Sequence, residues 1–357
     1  MFEHTSCPVC NGESFKKIGQ TATVINSPPQ SLPQAGGNVI LCYVLGLDTI
    51  HVHTLRCRRC DHLFLSPSFE DDELDRYYSQ ECGRLTKDEY RLWERVTGDS
   101  WAAVHNVRPE TRGGLVDLTE EVMRLRSAKL ASFVIDSAQQ ATLDVDTILD
   151  IGGNSGQLTS SFASARRYVF DKYPAEITAQ VTPLHNMDEV EKSSPFDLFV
   201  LSHVLEHVPR PTDFLKTFSK FSTQMSLVYV EVPLEYCGAV LKRRGVPLSG
   251  HVNYFTPKSV RALLLHAGFG QILKVSRCAA WYGAQRMVVI KALARRSTGD
   301  ITKDPRSWFL ATLLWDSLIT WRTRRRHAAD LAEVLAGGPS PIPNSRRPWR
   351  IRLSPGV

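Results

Sequence analysis

The stretch ILDIGGNSGQL, residues 148–158, decides the fold because it joins a buried strand to a glycine-rich turn. In a dinucleotide-binding fingerprint, G-x-G-x-x-G lies at a helix N-terminus and holds a pyrophosphate. Here Asp150 precedes the glycines, and its carboxylate would repel a phosphate but would suit a cationic cofactor that has no phosphate. Asn154 stands where a further glycine is expected. Asparagine tolerates left-handed backbone angles, so we predict an intact turn for a different cofactor.

Strands and helices alternate from residue 146 onward. This order predicts an α/β fold with a doubly wound, Rossmann-like parallel sheet, whose ligand crevice lies at the carboxyl ends of the strands. The predicted strands cover 147–151, 167–171, 196–202, 226–233, 271–278 and 286–293, and the predicted helices cover 157–165, 213–221 and 257–269.

Length and charge narrow the class of protein. A chain of 357 residues accommodates one domain of catalytic size with appendages. We find no signal peptide and no apolar run of about 18 residues, so we expect a cytoplasmic protein. Residues 295–357 carry 12 Lys and Arg against 5 Asp and Glu, whereas residues 1–294 carry 31 against 32. The neutral body argues against nucleic-acid binding as the main function.

Two C-x-x-C pairs lie near the N-terminus, Cys7-Pro-Val-Cys10 and Cys57-Arg-Arg-Cys60. Each pair can turn two thiolates toward one ion, so the four cysteines predict a structural Zn²⁺ site. The alternative is a set of buried or redox-active thiols. The histidines that could replace a cysteine ligand are His4, His51, His53 and His62. The cysteines expected to be ordinary core or surface residues are Cys42, Cys82, Cys237 and Cys278.

The glycine-rich turn and the segment PFDLFVLSHVLEHVPRP (195–211) together resemble class I S-adenosylmethionine-dependent methyltransferases. In that family, the first motif is an acidic residue followed by a glycine-rich turn. The resemblance implies that S-adenosylmethionine is the cofactor, that Asp171 binds both ribose hydroxyls and that Asp188 lies near the adenine. The full set of implied cofactor-binding residues is Asp150, Gly152, Gly153, Asn154, Gly156, Asp171, Asp188, Ser202 and His203.

The cysteine pairs, the IGGNSG turn and GHVNYFTPKSVRALLLHAGF (250–269) resemble one branch more closely. This branch is the zinc-containing methyltransferases of natural-product and polysaccharide pathways, including deoxysugar C-methyltransferases, and the resemblance covers about residues 5–292. His251, Tyr254 and Phe255 match its last motif. Leu248 and Gly250 replace the Tyr and Glu that serve sugar C-methylation. The resemblance implies a small-molecule acceptor, such as a nucleotide sugar or a pathway intermediate, methylated on carbon or oxygen.

Methyl transfer to a hydroxyl or an enolisable carbon needs a positioned nucleophile and a base. The candidates at the carboxyl ends of strands are His203, Glu206, His207 and His251. We take His251 as the base, with a purely structural role in the substrate loop as the alternative. His207 is a weaker candidate that would line the cofactor crevice. Glu206 is either catalytic or an anion in the first turn of the next helix.

Two rival functions remain open. One is a methyltransferase that acts on RNA or protein. The other is a binding protein, with a degenerate methyltransferase core, that uses the cysteine module and the basic tail to bind nucleic acid.

We divide the chain into a zinc-binding module (1–82), a helical linker (83–140), a methyltransferase domain (141–294) and a basic tail (295–357). In the linker, residues 116–138 have helical spacing. In the tail, residues 307–338 predict a helix with three tryptophans and an arginine cluster. This helix either docks on the catalytic domain or contacts a membrane surface or an acidic partner. Residues 339–357 are expected to be disordered.

Overall fold

The computed structural model describes residues 1–24, 49–75, 112–138, 145–174, 176–234, 251–282 and 285–297. Residues Met1–Gly299 form one compact unit. The second unit, Asp300–Val357, lies outside the described residues, as do the predicted tail helix and three of the four cysteines expected to be ordinary. Of the helices in the described part, none combines the length and apolar character needed to span a membrane.

A seven-stranded sheet forms the centre of the unit and confirms the α/β prediction. Its order is β6-β5-β4-β7-β8-β11-β10. The strands from β6 to β8 are parallel, whereas β11 is antiparallel to both of its neighbours. The bounds are β4 Thr147–Ile151, β5 Arg166–Phe170, β6 Val181–Leu184, β7 Phe196–Ser202, β8 Ser222–Pro233, β10 Gln271–Tyr282 and β11 Gln285–Arg295.

The predicted parallel sheet has one departure, because β11 runs antiparallel to both of its neighbours. Only residues 283 and 284 separate β10 from β11 in the chain, and a connection this short permits only an antiparallel pair. The sheet is therefore mixed, with a single reversed strand near one edge.

Helices cover both faces of the sheet. The helix α1 (Arg112–Ala138) packs on one face, where Leu130 and Val134 join a cluster with apolar residues of β4, β7 and β8. The helices α3 (Pro211–Ser219) and α4 (Pro257–His266) pack on the other face. Between α1 and α3 in sequence, α2 (Met187–Ser193) follows β6. Successive side chains of β4, β7, β8 and β11 point to opposite faces of the sheet, so these strands contribute to both cores.

The predicted helix over 157–165 is wrong. The structure has only a 3-10 turn at Gln157–Thr159. Backbone N–H groups in this segment bond three residues back, as from Phe162 to Thr159, and the N–H of Ser161 bonds to the hydroxyl of Ser127 on α1. A serine-rich segment offers side-chain hydrogen bonds that compete with a regular helix, and here such a bond ties the segment to α1.

A second, four-stranded sheet lies in the N-terminal part of the unit. It contains β1 (Phe15–Val24), β2 (Thr49–Cys57), β3 (Leu63–Ser66) and the two-residue β9 (Asn253–Tyr254), paired antiparallel in the order β1-β2-β3-β9. The last strand comes from the chain after β8. The N-terminal sheet therefore includes a piece of the segment 250–269.

The carboxyl ends of β4 and β7 meet where the strand order reverses. From β4 the chain moves outward to β5 and β6, and then crosses to β7 on the other side of β4. Ligands of open α/β sheets bind at such a switch point. The residues that follow β4 and β7 are therefore the ones to inspect.

Candidate functional site

The turn after β4 has left-handed backbone angles at three positions. The φ angles are +68° at Gly152, +52° at Asn154 and +76° at Gly156. A Cβ added to Gly152 would lie 2.6 Å from a methyl carbon of Val204, so this position also needs glycine for lack of space. Asn154 adopts the conformation that its residue type tolerates, and the turn keeps its shape without another glycine.

Asp171 follows β5 and fastens this turn to the neighbouring strand. One of its carboxylate oxygens accepts a hydrogen bond from the backbone N–H of Asn154 at 2.8 Å, and the other accepts from the N–H of Tyr173 at 2.8 Å. The side chain predicted to bind ribose therefore lies beside the glycine-rich turn. Each carboxylate oxygen has a further lone pair available for another donor.

The side chain of Asp150, a residue of β4, lies under the same turn, and the residue is 1% exposed. A Cβ on Gly153 would lie 2.3 Å from its carboxyl carbon, so the carboxyl packs directly against the turn. Neither of its side-chain oxygens has a hydrogen-bond partner among the described residues. Burial and the like charge of Asp171 raise the pKa of Asp150 to about 7, against a smaller opposing effect of Arg126. A cation nearby would stabilise the ionised form.

A cleft of about 610 Å³ opens at the turn. Asp188, predicted to lie near the adenine, is exposed in the first turn of α2 and does not line this cleft. The lining residues are Met123, Gly153, Asn154, Ser155, Gln157, Glu176, Ile177, Thr178 and Ala179.

We predict a large effect of one substitution in the turn and a small effect of another. Gly152→Ala places a side chain at positive φ and against Val204, so it should lower the free energy of unfolding by about 1–3 kcal/mol. Asn154→Gly should change it by less than about 1 kcal/mol, because glycine adopts the same angle freely. Urea denaturation followed by circular dichroism measures both values. Equal stability of the Gly152→Ala variant and the wild type would contradict the strain.

A charged cluster that the sequence analysis missed lies on the α1 side of the sheet. Strand alternation directs Ser202 of β7 and Glu231 of β8 to the face covered by α1. Arg126 of α1 donates to both of these side chains, at 3.0 Å in each case. These two hydrogen bonds of Arg126 thus hold α1 on the sheet at the carboxyl ends of β7 and β8.

Two more groups meet the Glu231 carboxylate, which is 3% exposed. The ammonium of Lys291 lies 3.0 Å from it, and the hydroxyl of Tyr229 donates to it at 2.7 Å. Burial opposes the charge of Glu231, but its contacts with His203, Lys291 and Arg126 hold its pKa well below the usual value. A Glu and a Lys inside otherwise apolar strands were the sequence signal for this pair.

His203 occupies the turn after β7 in a left-handed conformation, with φ of +58°. Its Nδ1 lies 3.1 Å from a carboxylate oxygen of Glu206, and its Nε2 lies 3.5 Å from one of Glu231. Burial opposes the imidazolium, but these two carboxylates outweigh burial and raise the pKa of His203 to about 9. His203 is therefore protonated at neutral pH and unsuited to accept a proton.

The raised pKa of His203 predicts a dependence of stability on pH. The ion pairs contribute fully below the unfolded pKa of about 6.5 and are lost as pH rises through about 9. Between these values the free energy of unfolding should fall by roughly 1–3 kcal/mol. His203→Asn keeps a residue that tolerates positive φ but removes the charge, so its stability should vary less over this window. Parallel denaturation series at pH 6.5 and 9 give the comparison, and equal slopes would refute it.

Glu206, His207 and His251 form a second cluster, beside the first. One ligand-type atom from each lies within 4.8 Å of the others, and the two imidazole rings make an edge contact with centroids 4.6 Å apart. Glu206 is fully buried, and its second oxygen has no hydrogen-bond partner among the described residues. Burial alone would raise the pKa of Glu206, but His203 and His207 lower it, so Glu206 carries a negative charge.

This geometry separates the sequence-based alternatives for Glu206. The helix α3 begins at Pro211, so Glu206 is not an anion in its first turn. The two segments that supplied the candidate bases, after β7 and after β8, are brought together at one place. The buried carboxylate lies next to both half-buried imidazoles.

The four N-terminal cysteines are buried together. The sulfurs of Cys7 and Cys60 are 3.5 Å apart, and those of Cys10 and Cys57 are 3.6 Å apart. In a tetrahedral site with Zn–S bonds of about 2.3 Å, sulfurs are separated by about 3.8 Å. The cluster found in the described residues contains these four cysteines and no histidine. The donor set and spacing fit a four-coordinate zinc ion.

The part of the chain that carries these features matches a known family. Residues 121–273 match the family described as "Methyltransferase domain". The match starts within α1 and extends into β10, so it includes both the glycine-rich turn and the segment with His251.

One curated protein is also similar to the chain. The ubiquinone biosynthesis O-methyltransferase of Caulobacter vibrioides is 26% identical over 165 residues, which are 39% of this chain and 66% of that protein. The chain thus spans just under two thirds of the length of this curated relative.

Two solved structures are also similar to part of the chain. The 1,6-didemethyltoxoflavin-N1-methyltransferase of Burkholderia thailandensis has a TM-score of 0.37 and 16% identity, over 54% of this chain and 91% of that chain. The N-methyltransferase NodS of Bradyrhizobium japonicum WM9 has a TM-score of 0.35 and 18% identity, over 49% and 97%.

Proposed function

We propose that the protein is an S-adenosylmethionine-dependent methyltransferase that acts on a small molecule. The observation that carries this proposal is the turn after β4, which combines three left-handed residues with an unpartnered buried carboxyl, Asp150. The turn lies within the matched methyltransferase domain. A cationic, phosphate-free cofactor suits such a turn better than a dinucleotide does.

Asp150 and Asp171 would both interact with the cofactor, Asp150 with its positive charge and Asp171 with its ribose. Asp171 already fixes the turn through Asn154 and has lone pairs left for the ribose hydroxyls. Asp150 supplies negative charge under the turn, and a bound cation would favour its ionised form. When bound, S-adenosylmethionine supplies an electrophilic methyl group on a positively charged sulfur.

On the acceptor side we assign His251 as the base. It would take the proton from an acceptor hydroxyl or an enolisable carbon. The charge of Glu206 lies within 4.8 Å and would stabilise the resulting imidazolium. His207 packs against His251 and orients it. The remaining barrier is lowered by holding the acceptor in line with the methyl group.

For the acceptor we propose a sugar, including a nucleotide sugar, or a related intermediate of natural-product biosynthesis. The matched residues His251, Tyr254 and Phe255 support this class. Oxygen is the atom we expect to be methylated. The absence of the Tyr and Glu that serve C-methylation supports it, and the curated relative is named an O-methyltransferase.

Transfer of a labelled methyl group tests the proposal. Purified protein and methyl-labelled cofactor should transfer label to members of a panel of nucleotide sugars and hydroxylated small molecules. Total RNA and a protein extract serve as competing acceptors. Label that enters only RNA or protein would contradict the small-molecule assignment.

Asp171→Ala should weaken cofactor binding. The loss of two charge-assisted hydrogen bonds, each worth about 1.5–3 kcal/mol, predicts at least a hundredfold higher Kd. Equilibrium dialysis with labelled cofactor measures this Kd. Asp188→Ala is the matched control for the proposed adenine contact, and we expect a smaller effect because Asp188 is exposed. An unchanged Kd in Asp171→Ala would refute the ribose contact.

His251→Ala should retain cofactor affinity but lose about 100- to 10,000-fold in kcat, the usual contribution of a general base. His185→Ala, at an exposed histidine outside both clusters, should keep wild-type kcat. Single-turnover assays with saturating cofactor compare the two. Full activity in His251→Ala would overturn the assignment of the base.

We propose that Cys7, Cys10, Cys57 and Cys60 hold one structural zinc ion. Replacing Cys7 and Cys10 together by Ser should abolish bound zinc and lower the Tm. Cys278→Ser removes a cysteine that lies outside the cluster and should leave zinc content unchanged. Atomic absorption of purified variants measures the metal, and zinc retained by the double variant would contradict the assignment.

A further inference from the structure

His62 is a buried polar residue that the methyl-transfer chemistry does not use. It lies two positions after Cys60, is 0% exposed and stands 2.8 Å, through its Nε2, from the Oδ1 of Asn253. These residues are 191 positions apart in the chain. A buried polar contact over this distance in sequence is a specific link between two parts of the fold.

The side-chain amide nitrogen of Asn253 determines the direction of this hydrogen bond. Its Nδ2 donates to the carbonyl oxygens of Val208, at 2.5 Å, and Leu205, at 3.3 Å. The amide is thereby oriented with Oδ1 toward His62, so His62 must donate from Nε2. The Nδ1 of His62 is buried without a hydrogen-bond partner in the described structure. Within the described residues, the ring therefore makes one hydrogen bond, which it donates to Asn253.

The carbonyls that Asn253 binds belong to the turn after β7 that carries Glu206 and His207. The backbone carbonyl of Glu206 itself accepts from the N–H of Val252, at 2.8 Å, and of Asn253, at 3.1 Å. Val252 directly follows His251. The segment 251–253 therefore fixes the turn through both backbone and side-chain hydrogen bonds, and it carries the proposed base.

The N-terminal sheet supports this segment. Leu63 pairs with Tyr254 and Phe64 pairs with Asn253 in the β3–β9 ladder. A further hydrogen bond joins the N–H of Leu65 to the carbonyl of Val252 at 3.1 Å. The cysteine-rich part of the chain is thereby hydrogen-bonded to the segment that follows His251, and this segment is in turn hydrogen-bonded to the turn that carries Glu206 and His207.

We infer that His62 is a positioning residue for methyl transfer, which acts through Asn253 on the Glu206–His207 turn and on the backbone next to His251. This inference rests on the proposed function for its effect on catalysis. The hydrogen bond fixes the distance between the buried carboxylate and the base, and displacement of reacting groups by about 1 Å can lower a rate about a hundredfold. The N-terminal module is then a part of the acceptor site.

A purely packing role of His62 makes a different prediction. Its ring stacks on Phe64, with centroids 5.9 Å apart, and contacts Phe255 at 4.8 Å. His62→Phe retains an aromatic ring but removes the donor. His62→Gln can present an N–H near the position of Nε2 but removes the ring. If His62 only packs, Phe should be the better replacement; if it positions Asn253, Gln should be.

The experiment compares wild type, His62→Phe and His62→Gln as full-length, zinc-loaded protein. Zinc content, Tm and the Kd of S-adenosylhomocysteine are measured first, and we expect them to be close to wild type in both variants. His62→Phe should lower kcat by about 10- to 100-fold, and His62→Gln should recover most of it. Amide hydrogen exchange should be faster at 205–208 and 251–254 in His62→Phe only.

Wild-type kcat and exchange in His62→Phe would overturn the inference, as would a greater loss in His62→Gln than in His62→Phe. If His62→Phe fails to fold, Asn253→Asp replaces it. The Asp oxygen at the Nδ2 position faces two carbonyls, so exchange at 205–208 should again be faster, and unchanged exchange would overturn the inference. Absence of cofactor binding and of methyl transfer in wild type would refute the proposed function, whereas the exchange comparison tests the role of His62 independently.

Discussion

Three carboxylates are buried at the carboxyl edge of the central sheet, and the balance of their charges constrains the whole site. Glu231 is neutralised by Arg126, Lys291 and His203, and Glu206 is paired with His203. Asp150 has no comparable partner in the described structure. Because an unpaired buried charge is costly, a cation bound at a position beside Asp150 would stabilise the ionised form of this carboxyl group. This position lies under the glycine-rich turn.

The other half of the site depends on a two-residue strand. Strand β9 pairs with β3 and so makes the segment after His251 a part of the N-terminal sheet. Asn253 then connects this sheet to the turn after β7. The central sheet positions the proposed cofactor-binding residues at its own strand ends, whereas the proposed acceptor site is assembled from two distant parts of the chain.

The sequence was sufficient for the local features. Alternation of strands and helices predicted the α/β sheet, the tolerance of Asn for positive φ predicted the turn at Asn154, and C-x-x-C spacing predicted the cluster of four cysteines. The helix after the turn was predicted from a pattern too short to exclude serine-mediated turns. The reversed β11 could have been found from its two-residue connection to β10.

The long-range contacts were beyond reach of the sequence. Glu231 and Lys291 were visible as charges in apolar strands, but their pairing depends on strand register. The link between His62 and Asn253 depends on a strand added from the other end of the domain, for which neither residue carries a local signal. Buried polar networks of this kind are defined by topology and not by sequence spacing.

We propose that the turn above Asp150 binds a cationic, phosphate-free cofactor. Isothermal titration of the full-length, zinc-loaded protein with S-adenosylmethionine, S-adenosylhomocysteine and NAD tests it most directly. We expect saturable binding of the first two compounds, with a Kd on the order of micromolar, about −8 kcal/mol, and no binding of NAD. Binding of NAD alone, or of none of the three by folded protein, would contradict it.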